Sequence, residues 1–212
     1  MFLPWESNMY SIKTPRLIFR RQLCQFGVLL ILLITINGCG GATDDLLPSS
    51  EDKRPLEITG QIGGMVGNTS PELSLTTTDN VNFTLSDYLL GGVNEAEAVV
   101  LYFTMWCPIC SAHMDHIQFG IMPEFTSNQI VYLAVDYLSD STSLTARSQQ
   151  DAGFNTTKWL ATADPDQTLT EIFNGTMATT VVIDPDGKVR MNEDFRTGEN
   201  LQLILRELTA GP

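Results

Sequence analysis

Hydrophobic and polar positions alternate with a period of two at Leu73 and Leu75, and again at Val81, Phe83 and Leu85, on either side of Thr78-Asp79-Asn80. This pattern predicts a β-hairpin. After Gly91-Gly92 the pattern changes to continuous apolar runs at 99–103 and 130–135, the signature of strands buried on both faces. The first run feeds a helix predicted from Pro108 to about Phe119, because proline is tolerated in a first turn. The second is followed by a polar helix over 141–152, a short strand near Trp159-Leu160, a helix over 168–173 and a strand over 180–183. Asp184-Pro185-Asp186-Gly187 predicts a turn into a strand at 189–191 and hence an antiparallel hairpin. Its glycine stands fourth, where a calcium loop of the EF-hand type needs it sixth. Leu201, Ile204, Leu205 and Leu208 recur at i, i+3, i+4 and i+7, which predicts a C-terminal amphipathic helix. The order of elements predicts an α/β fold, a three-layer sandwich with a central mixed β-sheet and an N-terminal β-hairpin.

The first sixty residues read differently. Lys13, Arg16, Arg20 and Arg21 flank an apolar run at 26–36, which has signal-peptide length and is too short to span a bilayer. The run ends in Ile36-Asn37-Gly38-Cys39, which resembles the lipobox of bacterial lipoproteins and implies lipidation of Cys39. The alternative is ordinary cleavage near Gly38, which leaves a thiol at Cys39. Residues 40–60 are rich in Gly, Asp, Ser, Glu and Pro, the composition of a tether. The expected organisation is a leader with lipobox at 1–38, a flexible tether at 39–65 and one folded domain at 66–212.

Charge and cysteine content sharpen this picture. The leader holds four of the 12 basic and one of the 25 acidic residues, so the remainder carries a net charge of about −16. Such a surface excludes nucleic acid as a partner and leaves lipid, not a basic patch, as the means of membrane attachment. Cys24 leaves with the leader and Cys39 would be acylated, so Cys107 and Cys110 remain. A bridge between residues three apart closes too small a loop to serve as a scaffold. The pair is wanted for its chemistry.

That pair lies in Trp106-Cys107-Pro108-Ile109-Cys110, where a buried strand gives way to a helix. Unpaired N–H groups and the helix dipole at this point favour negative charge, so Cys107 is expected to act as thiolate and nucleophile. Cys110, one turn further in, is expected to be shielded and to resolve the mixed disulfide. No metal or other cofactor is expected beyond the redox-active Cys107-Cys110 disulfide. His113 and His116 continue the spacing of three, but each such step falls about 60° short of a turn, so all four side chains cannot meet one tetrahedral ion. A copper site formed by the cysteines and one histidine, in a non-enzymatic lipoprotein, stays open as an alternative. Both histidines otherwise occupy an ordinary half-exposed helix face.

The stretch from about Pro71 to Leu208 resembles the redoxin and TlpA-like branch of the thioredoxin superfamily. The resemblance rests on Tyr102-Phe103-Thr104-Met105-Trp106-Cys107-Pro108-Ile109-Cys110 and on Thr179-Thr180-Val181-Val182-Ile183-Asp184-Pro185-Asp186-Gly187-Lys188-Val189. It implies a thioredoxin-like sandwich and a monomeric thiol-disulfide oxidoreductase of the protein-disulfide reductase type, anchored by lipid and facing the periplasm. The implied partners are disulfide-containing exported proteins and a membrane thiol-disulfide donor or acceptor, and the implied active-site wall is Trp106, Pro108, Met177 and Ala178. Two positions depart from the pattern. The family places a cis-proline where this chain has Ala178, preceded by Met177. A cis bond without proline costs about 3–4 kcal/mol, so the loop 176–178 is either trans and reshaped or strained. Thioredoxin also buries an acid where this chain has Leu101, which leaves Glu95, Glu97 or water to accept the proton of Cys110. Peroxiredoxins share the superfamily and place a threonine where Thr104 stands, but their proline is Val100 here, so thiol peroxidase is the enzymatic alternative.

Overall fold

The computed structural model describes residues 61–127 and 129–210. The leader, the lipobox with Cys39 and most of the expected tether lie outside the described residues. The fold opens with the predicted hairpin, β1 (Ser74–Thr76) and β2 (Asn82–Thr84), paired in antiparallel register with Leu75 opposite Phe83. Phe83 and Leu85 are buried, whereas Val81 is 60% exposed because it belongs to the turn and not to the strand. The hairpin is fastened to the main sheet by Thr78 N–H, which donates to the Ala161 carbonyl at 2.8 Å.

The main sheet has five strands in the order β5-β4-β3-β6-β7. They are β3 (Ala98–Thr104), β4 (Ile130–Asp136), β5 (Trp159–Ala163), β6 (Thr179–Ile183) and β7 (Val189–Asp194). The pairs β3/β4 and β4/β5 are parallel, and β3/β6 and β6/β7 are antiparallel, so the sheet is mixed as predicted. All seven residues of β3 are buried, which is why its sequence shows no alternation. Because β6 runs against β3, the start of β6 and the ends of β3 and β4 share one edge of the sheet. Everything chemically notable in the domain gathers there.

Four helices complete the fold: α1 (Pro108–His116), α2 (Thr142–Asp151), α3 (Thr168–Phe173) and α4 (Glu199–Thr209). Helix α2 is capped by Ser141, whose hydroxyl accepts the Leu144 N–H. Helix α4 buries Leu201 and Leu205 and leaves Ile204 and Leu208 partly covered. Helix α1 ends three residues before the predicted limit and widens into a π-helical turn, Ile117–Ile121, which keeps both Ile117 and Ile121 inside while Phe119 points outward.

Residues 62–65, the last of the expected tether at 39–65, pack against the domain. A Cβ on Gly64 would stand 2.2 Å from the Ile172 carbonyl oxygen, so only glycine fits this approach. Asn192, fully buried on β7, donates through Nδ2 to the carbonyls of Gly64 and Phe173 at 2.9 Å each. Composition detects polar content, and it does not detect backbone packed against backbone. Asn192→Ala removes the shared donor of two buried carbonyls and should lower the unfolding free energy by about 2–4 kcal/mol. Urea denaturation measures this, and a change below about 0.5 kcal/mol, the range of neutral surface substitutions, would show that these bonds do not hold the segment.

Candidate active site

Strand β3 ends at Thr104, and the chain must turn sharply before α1 begins at Pro108. The turn is made at Trp106, which sits at φ 57°, a left-handed conformation that costs an L-residue about 1–2 kcal/mol. Two bonds hold it there: Trp106 N–H donates to Thr104 Oγ1 at 2.9 Å, and the indole Nε1–H donates to Asp136 Oδ2 at 2.8 Å. Asp136 is fully buried at the end of β4 and also accepts Thr145 Oγ1 and the backbone N–H groups of Leu138 and Ser139. A buried carboxylate is tolerable only when it is bonded this completely. Asp136 is therefore a positioning residue for the motif. The sequence offered one signal for it, an acid terminating an apolar strand.

Cys107 is the N-cap of α1 at φ −73° and ψ 163°, and its sulfur accepts the Cys110 N–H at 3.2 Å. Cys107 is half-buried and Cys110 is fully buried, with the two sulfurs 2.7 Å apart as free thiols. Burial, followed by the hydrogen bond with Cys107, pushes the Cys110 thiol up to about 11. The structure thus brings together a half-buried sulfur and an enclosed one. Pro108 and Ile109 are exposed at the rim.

The loop facing the cysteines resolves the question raised by Ala178. Among the described residues no peptide bond is cis, and Ala178 adopts φ 70°. The loop is trans and reshaped. Its left-handed alanine is held by its N–H, which donates to the Phe103 carbonyl at 3.0 Å, and by its carbonyl, which accepts Phe195 N–H at 2.8 Å and Thr180 Oγ1 at 3.1 Å. Thr176 N–H donates to Thr179 Oγ1, which closes the loop on itself. The polar backbone groups of Ala178 are thus committed inside the protein. Met177, 2% exposed, turns its sulfur toward Cys107, with Sδ 3.7 Å from Sγ. Of the expected wall, Trp106, Pro108, Met177 and Ala178 all stand at this edge, Pro108 at the rim, and Ala178 acts through its backbone.

Leu101 is buried, and no acid stands at that point of β3. Glu95 and Glu97 precede the opposite end of β3, where Glu97 N–H pairs with the Gln129 carbonyl, seven strand residues away from the motif. At about 3.3 Å per residue they are roughly 20 Å from the sulfurs and do not serve them. The polar group beneath α1 is a different one. Tyr102 Oη lies 3.0 Å from His113 Nδ1, and the His113 ring packs 4.8 Å from that of Phe195. Burial, reinforced by the charges of Cys110 and then Cys107, raises the Tyr102 phenol well above its ordinary value. Burial and the neighbouring His116 lower the His113 imidazole below 6.5. His113 is half-buried on its helix face, as the pattern expects, but its ring is engaged by Tyr102, whereas His116 is exposed. A single sequence carries no signal for this cross-element pair.

The profile of the AhpC/TSA family matches residues 66–192. No curated protein sequence matches the chain. Among solved structures the fold is similar to dsbF of MTB in mixed oxidized and reduced forms, with 20% identity and a TM-score of 0.50 over 65% of this chain and 95% of that one. It is also similar to peroxidoxin BcpB from Mycobacterium tuberculosis, at 19% identity and a TM-score of 0.54 over 72% of this chain and 99% of that one. A putative protein disulfide isomerase from Bacteroides thetaiotaomicron has 20% identity and a TM-score of 0.52 over 70% of this chain and 92% of its own. These likenesses establish the thioredoxin-like fold, and the family match spans the hairpin, the dithiol and the facing loop. The chain belongs to the AhpC/TSA family, as a redoxin of thioredoxin-like fold with thiol oxidoreductase chemistry.

Proposed function

We propose that this protein is a thiol-disulfide oxidoreductase of the protein-disulfide reductase type, held at the outer side of a membrane by lipid on Cys39 and acting on disulfides of exported proteins. The observation that carries this reading is the pairing of a half-exposed Cys107 with a fully buried Cys110 whose sulfur is 2.7 Å away. Cys107 thiolate attacks one substrate sulfur, the substrate S–S bond breaks, and the departing thiolate takes up a proton. Cys110 then loses its proton and attacks Cys107 Sγ. The mixed disulfide breaks, the second substrate thiol leaves, and the Cys107–Cys110 bridge holds the two electrons' worth of oxidation. A membrane thiol donor returns the pair to the dithiol. Exposed apolar side chains at Ile109, Leu138 and Leu144, on segments that adjoin this edge of the sheet, suit an unfolded polypeptide substrate.

A second reading, thiol peroxidase, is favoured by the family match. Against it, Thr104 is fully buried and its Oγ1 accepts the Trp106 N–H, which ties the side chain into the turn.

Insulin reduction driven by a small dithiol separates these readings. The wild-type chain should turn over, Cys107→Ser should not, and Cys110→Ser should halt within the first cycle as a mixed disulfide on Cys107. Peroxide consumption without insulin turnover, abolished by Cys107→Ser and partly kept by Cys110→Ser, would replace the first reading with the second.

The raised Cys110 pKa sets a pH dependence. The native state favours the protonated thiol, so its contribution to stability is complete below about pH 9 and is lost as pH rises toward about 11. The urea midpoint of the reduced chain should fall more steeply between pH 9 and 11 than that of Cys110→Ser, and equal slopes would refute the assignment.

Attachment is tested by growing bacteria that express the chain with labelled palmitate. Label on the wild type and none on Cys39→Ala is expected. An unlabelled wild type would remove the anchor and leave the dithiol chemistry in place.

A further inference from the structure

Resolution of a mixed disulfide by Cys110 needs a proton acceptor. Leu101 is apolar, and Glu95 and Glu97 stand at the far end of β3. Burial and the bond with Cys107 push the Cys110 thiol up to about 11, so on the order of one molecule in ten thousand holds it ionised at pH 7. Waiting for spontaneous ionisation forfeits about that factor in rate, which a nearby base would recover.

The exchange steps leave one buried ionisable pair beneath α1 unused. Tyr102, fully buried on β3, has its Oη 3.0 Å from His113 Nδ1, and this is the only hydrogen bond of either side chain among the described residues. A buried phenol keeps its O–H bonded, so Tyr102 donates and the neutral imidazole carries its own proton on Nε2. His113 follows Cys110 by three positions on α1, which sets their Cβ atoms about 5–6 Å apart. Its ring is half-buried and packs 4.8 Å from that of Phe195, so one side reaches solvent while the other meets the phenol. The titratable groups facing the pair are Cys107, Cys110 and His116 of α1, Tyr137 beyond β4 and Asp194 at the end of β7. Tyr137 donates to Met105 Sδ, and Asp194 accepts Thr179 Oγ1. Of these neighbours Cys110 raises the Tyr102 phenol most. Burial and His116 hold the His113 imidazole below 6.5, so at neutral pH it is free to accept, whereas the raised phenol passes a proton on without holding a charge.

We propose that the Tyr102–His113 pair takes the proton from Cys110 during resolution, with Tyr102 as the relay and His113 as the base. The Cys110 S–H bond breaks as an O–H bond forms at Tyr102 Oη, and the proton already on Tyr102 passes to His113 Nδ1. The freed electron pair of Cys110 forms the bond to Cys107 Sγ, the mixed-disulfide bond breaks, and the substrate thiolate leaves with that bond's electrons. The imidazolium gives its Nε2 proton to solvent, which supplies the departing thiolate, and the neutral ring is left with its proton on Nδ1. Reduction of the Cys107–Cys110 bridge runs the relay backwards and reprotonates Cys110. This inference rests on the reading of Cys107 as the attacking and Cys110 as the resolving sulfur.

An equimolar amount of Ellman's disulfide, mixed with the reduced full-length protein, reports both steps by absorbance. The first thionitrobenzoate is released when Cys107 attacks, and the second when Cys110 resolves the adduct. Between pH 7 and 9 the wild-type resolution rate should be level, because the base is already free and the thiol is still protonated. It should fall on the acid side of pH 6.5, as His113 takes up a proton. Two variants should lose the plateau: Tyr102→Phe, and His113→Asn, whose amide oxygen can still accept the phenol O–H but cannot take its proton. Both should resolve at least about a hundredfold more slowly at pH 7 and gain tenfold per pH unit toward about 11. A purely structural role would slow the step without changing its slope. A wild-type rate that climbs tenfold per unit from pH 7 to 9, or a level profile kept by His113→Asn, would overturn the proposal and leave the reductase reading intact. The wild-type slope decides the matter even where a variant does not fold. An adduct that never releases the second equivalent would remove the resolving role of Cys110, and both readings with it.

Discussion

The chain leaving β3 has seven buried residues behind it and a proline-started helix ahead of it, and the join between them fixes the chemistry of the domain. β3 is paired on both edges, so its end cannot shift without breaking the sheet. The buried Asp136 carboxylate, at the end of the neighbouring strand, takes the Trp106 indole and holds the left-handed turn that delivers Cys107 to the helix N-terminus. The antiparallel entry of β6 then brings Met177 and Ala178 against the same point, through the bond from Ala178 N–H to the Phe103 carbonyl. Three separate stretches of chain, the β3–α1 join, the end of β4 and the loop before β6, meet around the motif at one edge of the sheet.

The surroundings of the dithiol differ from those that its motif alone suggests. A loop whose alanine has both backbone polar groups bonded internally offers less to a substrate strand than one with those groups turned outward. For the proposed reductase, recognition would then fall more to side chains at the rim, Pro108, Ile109 and their apolar neighbours. Below the motif the Tyr102 phenol, bonded to His113, is the ionisable group that senses both sulfurs.

The strands and helices were legible because each is written in its own period: continuous apolar runs for β3 and β4, alternation for the hairpin, and i, i+4 spacing for α4. The dithiol was legible because its spacing and its place at a strand-to-helix junction are local. What escaped the sequence is what connects elements. Nothing in residues 130–136 says that the terminal acid will reach a tryptophan thirty residues earlier. Nothing in Met177 says that its sulfur, and not only its bulk, faces Cys107. The widening of α1 into a π turn brings both Ile117 and Ile121 into the core, a packing decision made in three dimensions. Ala178 could be flagged by comparison with the family, but its backbone conformation followed only from the bonds around it.

The central claim is that Cys107 and Cys110 form a reversible two-electron couple. Equilibrating the protein in graded mixtures of reduced and oxidised glutathione, and counting the Cys107–Cys110 disulfide by mass after acid quenching, measures this directly. The account predicts a single reversible transition between dithiol and intramolecular disulfide, with the same midpoint from both directions and a two-electron slope. A pair that stays as dithiol across the whole range, or that accumulates only glutathione adducts on Cys107, would contradict it.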